Sequence, residues 1–177
     1  IRDVAPSRGL GDVYKRQVFY YNPNITEETE YKKRVAEQAR LISELDTVYP
    51  IQLVEGTYDP QRFYEITKGM EQMDEGGERC FACYRLRLEE AAKLAADGGF
   101  DYVTTTLSIS PMKNAEKLNE IGAEVGAKYG IPWLFSDFKK KNGYKRSVEL
   151  SKEHDLYRQS YCGCGYSKAQ AKREGRI

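Results

Sequence analysis

The chain reads as an α/β protein, a three-layer arrangement of a mainly parallel sheet with helices on both faces. Three observations predict it. Short β-branched and aromatic runs alternate with longer segments of helical apolar spacing, as in "VFYYNPN" followed by "EETEYKKRVAEQARLISEL". Turn residues such as Asn22-Pro23-Asn24 and Gly98-Gly99 separate the segments. No internal repeat or low-complexity tract interrupts the order.

The elements follow in turn. "VFYY" gives a strand over 18–21, ended by the turn chemistry behind it. Thr26 caps a helix over about 27–45, on which Val35, Ala39, Ile42 and Leu45 recur at helical spacing. "YPIQLVEG" is the second strand, and Asp59-Pro60 opens a short helix holding Phe63, Ile66 and Met70. "CFACYRLRLEEAAKLAADGG" carries Leu86, Leu88, Ala91, Ala92 and Ala95 before a Gly-Gly stop, a strong helix pattern. "FDYVTTTLSIS" is the third strand with its exit loop, 114–129 a helix closed by Gly130, and "IPWLFSDF" the fourth strand, with Trp133 as a packing residue. Two more helices are expected over 147–154 and 167–173, with a Cys-Gly-Cys turn between them.

A chain of 177 residues fits one domain and buries a core without disulfide or metal staples. Lys plus Arg number 28 against 27 Asp plus Glu, so the net charge of +1 gives no global attraction to nucleic acid. Charge is instead local. Glu71, Asp74, Glu75 and Glu78 form an acidic stretch, and Lys139, Lys140, Lys141, Lys145 and Arg146 a basic one. No apolar run reaches the length of a membrane span and none resembles a signal peptide, which points to the reducing cytoplasm. There, closely spaced cysteines read as metal ligands or redox-active thiols before structural disulfides.

The 4 cysteines fall in two pairs. Cys80 and Cys83 stand where the third helix begins, and the unpaired N–H groups of that end favour thiolate. Two-residue spacing lets both sulfurs face one ion or cluster. Cys162 and Cys164 flank a single glycine. A disulfide there closes a very small ring whose strain makes it easily reduced, which suits a shuttle. The competing arrangement is one metal site uniting all of Cys80, Cys83, Cys162 and Cys164. Spacing alone leaves both open.

"ERCFACYRLRL", "TTTLSISPMKN", "FKKKNGYKRSVELSKEHDLYRQSYCGCGYS" and "VFYYNPNI" together resemble the epoxyqueuosine reductase family QueH, over about 18–167. The resemblance implies an adenine-nucleotide-hydrolase-like (HUP/Rossmann-like) fold. It also implies an iron–sulfur oxidoreductase that reduces epoxyqueuosine to queuosine in tRNA, the last step of queuosine biosynthesis. By the same resemblance Cys80 and Cys83 supply two ligands of a [4Fe-4S] cluster, with room for an additional iron, and Cys162 and Cys164 form the redox-active pair. The partners it implies are tRNA carrying epoxyqueuosine and an electron donor that the residues do not identify.

The family's other two cluster ligands are an adjacent Cys-Cys pair in a loop after the first strand, and this chain has none. Residues 1–17, "IRDVAPSRGLGDVYKRQ", look like a translated library adapter and are expected to be a non-native or disordered leader ahead of one domain over 18–177. On this reading the first strand, commonly central in such sheets, is missing.

Further candidates lie at the C-terminal end of the third strand, where ligands bind in such folds. Thr106, Ser108, Ser110 and Lys113 are the candidates there, with Thr104 and Thr105 equally explained as strand formers. "DFKKKNGYKRS" mixes cations with aromatics, the composition that grips phosphates and stacks on bases, and Tyr144 and Arg146 are its preferred members. His154 is expected to face solvent, and Asp137 to bind metal, donate a proton or cap a helix. Two other classes compete: a zinc-stabilised, non-catalytic nucleic-acid-binding module on the same thiolates, and a nucleotide-hydrolysing or sulfur-transfer enzyme.

Overall fold

Val4–Arg8 (β1) and Tyr14–Tyr20 (β2) pair antiparallel, with Val4 opposite Val18, and β2 pairs in parallel with Ile51–Glu55 (β3), with Val18 opposite Leu53. This is a computed structural model, and it describes residues 4–8 and 14–177. The sheet order is β1-β2-β3. The strand expected over 18–21 therefore begins four residues earlier, at Tyr14. Of the leader expected over 1–17, residues 1–3 and 9–13 lie outside the described residues, while Val4–Arg8 and the start of β2 are strand.

The parallel pair is joined by Glu28–Glu44 (α1), which packs on β3 and buries Tyr31 and Gln38. Thr26 was expected to cap this helix; instead Glu27 is the N-cap residue and makes no side-chain cap bond. The Thr26 N–H is directed elsewhere, to the Gly163 carbonyl at 3.2 Å. Pro60–Ile66 (α2) starts as its sequence predicts, with Pro60 in the first turn and the Asp59 carboxylate accepting from Arg62 N–H at 3.3 Å.

Glu78–Asp97 (α3) and Ala115–Tyr129 (α4) pack against each other and bury Leu88, Ala92, Leu118, Ile121 and Val125 around Phe100, Val103 and Ile131. Asn114 caps α4 through Lys117 N–H at 2.9 Å, and Gly130 ends it in the left-handed region at φ +70°. Close approach explains Gly122: a Cβ there would lie 2.2 Å from the Trp133 ring. Trp133 is thus a packing residue, anchored by its Nε1–H to Asn119 Oδ1 at 3.0 Å.

The third and fourth expected strands are shorter than the sequence suggests. They meet in a single parallel bridge, Val103 to Trp133. Two features stop the ladder. Pro132 has no N–H to donate, and the Thr104 hydroxyl takes the Leu134 carbonyl at 2.8 Å, so the chain turns away into the Leu107–Ile109 3₁₀ turn. The architecture remains α/β, a parallel strand pair flanked by helices, with fewer ladder strands than expected.

Gly143–Glu153 (α5) starts four residues before the helix expected over 147–154, which places Tyr144 and Arg146 on a helix rather than in a basic loop. Gly165–Arg173 (α6) starts directly after Cys164, its N-cap residue. Among the described residues no helix is long and apolar enough to cross a membrane.

Candidate active site at the cysteine pairs

Cys80 and Cys83 stand on the first turns of α3, Cys80 half-buried and Cys83 buried. The turn ahead of them is fixed by Gly76, at φ +97°, whose N–H donates to Cys80 Sγ at 3.2 Å. Arg79 braces the same turn. It is buried, and its guanidinium donates to the carbonyls of Met70 at 3.1 Å and Glu71 at 3.2 Å and to that of Met73, with the Tyr166 ring 4.5 Å away. In the sequence Arg79 reads as charge that marks an accessible site beside the cysteine pair; the structure buries it instead, because three backbone carbonyls take its guanidinium.

The second pair is brought to the first by α6. Cys83 and Cys164 share an apolar cluster with Phe63, against which Tyr166 packs. All four thiols are free. Cys164 caps α6, its sulfur accepting Ser167 N–H at 3.3 Å. Cys162 faces the other way. It lines a cleft of about 360 Å³ together with Lys113, Thr106, Ser110, Tyr144 and Arg34. The glycine between the thiols is required twice over: Gly163 sits at φ +124°, and a Cβ there would lie 2.8 Å from Ile25 Cγ1.

Lys113 is the charge at the centre of the site. Its ammonium donates to Cys162 Sγ at 3.2 Å and to Glu75 Oε1 at 3.0 Å, with both charged side chains 8% exposed. Burial works against the charged form, but Cys162, Tyr84, Glu75 and Cys80 outweigh it, and the Lys113 pKa is raised. Glu75 is therefore not part of a solvated acidic run; it is half of a buried ion pair. Burial pushes the Cys83 thiol up to about 12, against the pull of Arg87 and Lys113. It also raises Cys164, and Tyr84 to about 12.

Two buried polar atoms lining the cleft have no protein partner, Thr106 Oγ1 and Gln38 Nε2. Of the hydroxyls in "TTTLSIS", Thr106 and Ser110 reach the cleft. The others are spent on the fold: Thr104 bonds Leu134 O, Thr105 Oγ1 accepts Leu107 N–H at 3.3 Å, and the fully buried Ser108 accepts Phe138 N–H at 3.2 Å. Tyr144 lines the cleft's edge and is exposed. Arg146 does not line it. Its guanidinium pairs with Glu153 at 2.7 Å and Glu149 at 3.5 Å on its own helix. His154 is not simply solvent-facing, since its Nδ1 lies 3.3 Å from Glu44 Oε2. Asp137 closes a turn, accepting Lys139 N–H at 3.2 Å.

Metal binding can be tested against this geometry. Among the described residues no three His, Cys, Asp or Glu side chains are arranged to hold one ion, so the single site uniting all four cysteines is not assembled here. Cys80 and Cys83 fit a more limited part, two thiolate corners of a larger group. They share one helix start, one sulfur already accepts a backbone N–H, and Arg87 and Lys113 offset thiolate charge at Cys83.

Comparison with known proteins agrees with the motifs. The family model described as "Epoxyqueuosine reductase QueH" matches residues 5–170. A protein of Streptococcus pyogenes serotype M1 named epoxyqueuosine reductase QueH is 41% identical over 152 residues, 85% of this chain and 60% of its own length. Proteins of the same name from Staphylococcus epidermidis and Thermotoga maritima are 38% and 34% identical over 154 residues each, 85% of this chain and 65% and 78% of their own lengths. The chain thus spans about 60–65% of the length of the first two relatives. With the motif-bearing segments, the paired cysteines and the α/β frame all inside the matched span, the chain belongs to the epoxyqueuosine reductase QueH family.

Proposed function

We propose that this chain carries the dithiol centre, and half of the cluster-binding set, of an oxidoreductase that converts epoxyqueuosine to queuosine in tRNA. The observation that carries the reading is the convergence of Cys162 and Lys113 on one cleft, with Cys164 packed against Cys83 behind them. The family name supplies the substrate.

The reaction removes an epoxide oxygen. Two electrons and two protons turn the C–O–C ring into a carbon–carbon double bond and water. A dithiol that closes to a disulfide releases that number of each. Cys162 is placed to meet what enters the cleft, and Gly163 lets the turn bend far enough for Cys164 to reach it. Lys113 is a buried ammonium at the same wall, placed to hold a proton or an anionic oxygen. Thr106 Oγ1 and Gln38 Nε2 offer unused hydrogen-bonding atoms for a polar ligand. Cys80 and Cys83 would hold two corners of an iron–sulfur cluster, which when bound supplies single-electron transfer and Lewis acidity next to the cleft. The exposed lysines 140, 141 and 145 form the surface that meets tRNA phosphates, with Tyr144 beside them for stacking.

The test is turnover and metal content together. The chain, extended at its start by the family's adjacent cysteine pair so that the cluster-binding set is whole, is reconstituted with iron and sulfide without oxygen, then incubated with tRNA carrying epoxyqueuosine and a dithiol reductant, and the digested nucleosides are separated. Queuosine should appear, Cys80→Ala and Cys83→Ala should lose iron and colour, and Cys162→Ser and Cys164→Ser should lose turnover while keeping colour. A colourless protein with stoichiometric zinc that binds tRNA but leaves the nucleoside unchanged would replace this reading with the binding module.

A further inference from the structure

We propose that the two thiols of the Cys-Gly-Cys turn have unequal parts. Cys162 is the sulfur that exchanges with reactants, Lys113 is the residue that positions it, and Cys164 is the buried disulfide partner that leaves when the bond is reduced. This rests on the redox reading above and takes it further by assigning each sulfur a part.

Access separates them first. Cys162 lines the cleft, whereas Cys164 does not and is 7% exposed in the cluster with Phe63 and Cys83. Their partners separate them next. Cys162 Sγ accepts from the Lys113 ammonium, and Glu75 on the far side holds that ammonium in place with little water to compete. Cys164 Sγ is engaged with the start of α6 through Ser167 N–H. The backbone enforces the same division. Arg34 fixes the Cys162 carbonyl at 2.9 Å and Thr26 N–H fixes the Gly163 carbonyl at 3.2 Å, so the turn presents one sulfur outward and one inward.

The cycle balances with a dithiol as the outside reductant. In the oxidising half both protein thiols lose a proton, one S–S bond forms, and two electrons pass to the epoxide, whose oxygen leaves as water. In the resetting half a thiolate of the outside dithiol attacks Cys162 Sγ. The S–S bond breaks, Cys164 leaves as thiolate and takes a proton, and a mixed disulfide stands at Cys162. The second outside thiol then displaces Cys162, leaving both protein thiols reduced and the reductant as its disulfide.

Iodoacetamide labelling of the reduced, metal-free 177-residue chain, mapped by mass spectrometry, tests the assignment without tRNA or cluster. Cys162 should be alkylated first, about tenfold or more faster than Cys164. Lys113→Met should slow Cys162 about tenfold, and Lys113→Arg should restore most of the rate. Glu75→Gln removes the carboxylate charge but keeps a side-chain oxygen that can accept from the ammonium and hold it on the sulfur, so it should keep the Cys162 rate. The double variant Glu75→Gln/Lys113→Met leaves no unpaired buried carboxylate and should be as slow as Lys113→Met; it decides the matter if the single variant does not fold. Equal labelling of the two sulfurs, or Cys164 first, overturns the division of parts. Equal slowing by Glu75→Gln and Lys113→Met, or none by either, removes the positioning role of Lys113. Absence of queuosine formation with the labelling order intact would count against the reductase reading alone, and equal labelling with turnover intact against this assignment alone.

Discussion

The Arg34 guanidinium on α1 donates to the Cys162 carbonyl at 2.9 Å and to the Tyr161 carbonyl at 3.3 Å, across a sequence separation of 128 residues for the first bond. Glu30 holds the same guanidinium at 2.7 Å and also accepts the Tyr157 hydroxyl at 3.0 Å. One helix near the start of the chain therefore sets the geometry of the dithiol turn near its end.

Arg34→Ala should destabilise the fold by about 2–3 kcal/mol, since it removes charge-assisted bonds and strands Glu30 in a mostly buried position. Arg34→Lys should recover only part, because a single ammonium cannot fork to Glu30 and two carbonyls at once. Urea unfolding of the three proteins checks the order.

Gly163→Ala should cost about 1–3 kcal/mol. A side chain is strained at φ +124°, and its Cβ meets Ile25 Cγ1 at 2.8 Å. The substitution should also slow closure of the Cys162–Cys164 disulfide, measured by thiol titration after exposure to oxidised glutathione.

Alkaline pH should weaken the fold through Tyr20. Burial raises its phenol to about 12 from an ordinary 10.0, partly offset by Arg34 and Arg87. The unfolded chain then ionises first, so this contribution to stability is intact below pH ~10 and is lost as pH rises from about 10 to about 12, at up to about 1.4 kcal/mol per pH unit. Tyr20→Phe should flatten that decline, read from the urea midpoint at successive pH values.

Replacing Lys140, Lys141 and Lys145 together by Ala should weaken tRNA binding and lower the log–log salt slope by roughly 2–3. Arg146→Ala should change the slope less, because Glu153 and Glu149 already neutralise that guanidinium. Filter binding over a salt series measures both, and an unchanged slope in the triple variant would assign the lysines to solubility.

Local order was legible in the sequence. Asp59-Pro60 opens α2, Asn114 and Gly130 bound α4, and Cys80 and Cys83 stand at the start of α3, because caps, prolines and left-handed glycines act within a few residues of themselves. The extent of the ladders was not. Whether Val103 and Trp133 extend into strands depends on Pro132 and on where the Thr104 hydroxyl finds an acceptor, and that acceptor lies 30 residues away.

The same distinction runs through the site. By itself the sequence determined the family motifs, the two cysteine pairs, the α/β alternation and the basic stretch, since each is written in adjacent residues. Only the tertiary structure decided that Glu75 leaves the acidic run to pair with Lys113, that Ser108 is spent on Phe138 N–H, that Arg146 is held by its own helix, and that Cys162 opens on the cleft while Cys164 turns inward. The physical reason is desolvation. A charged or polar side chain carried out of water must find a partner, and the partner available to it is set by packing between elements far apart in the chain.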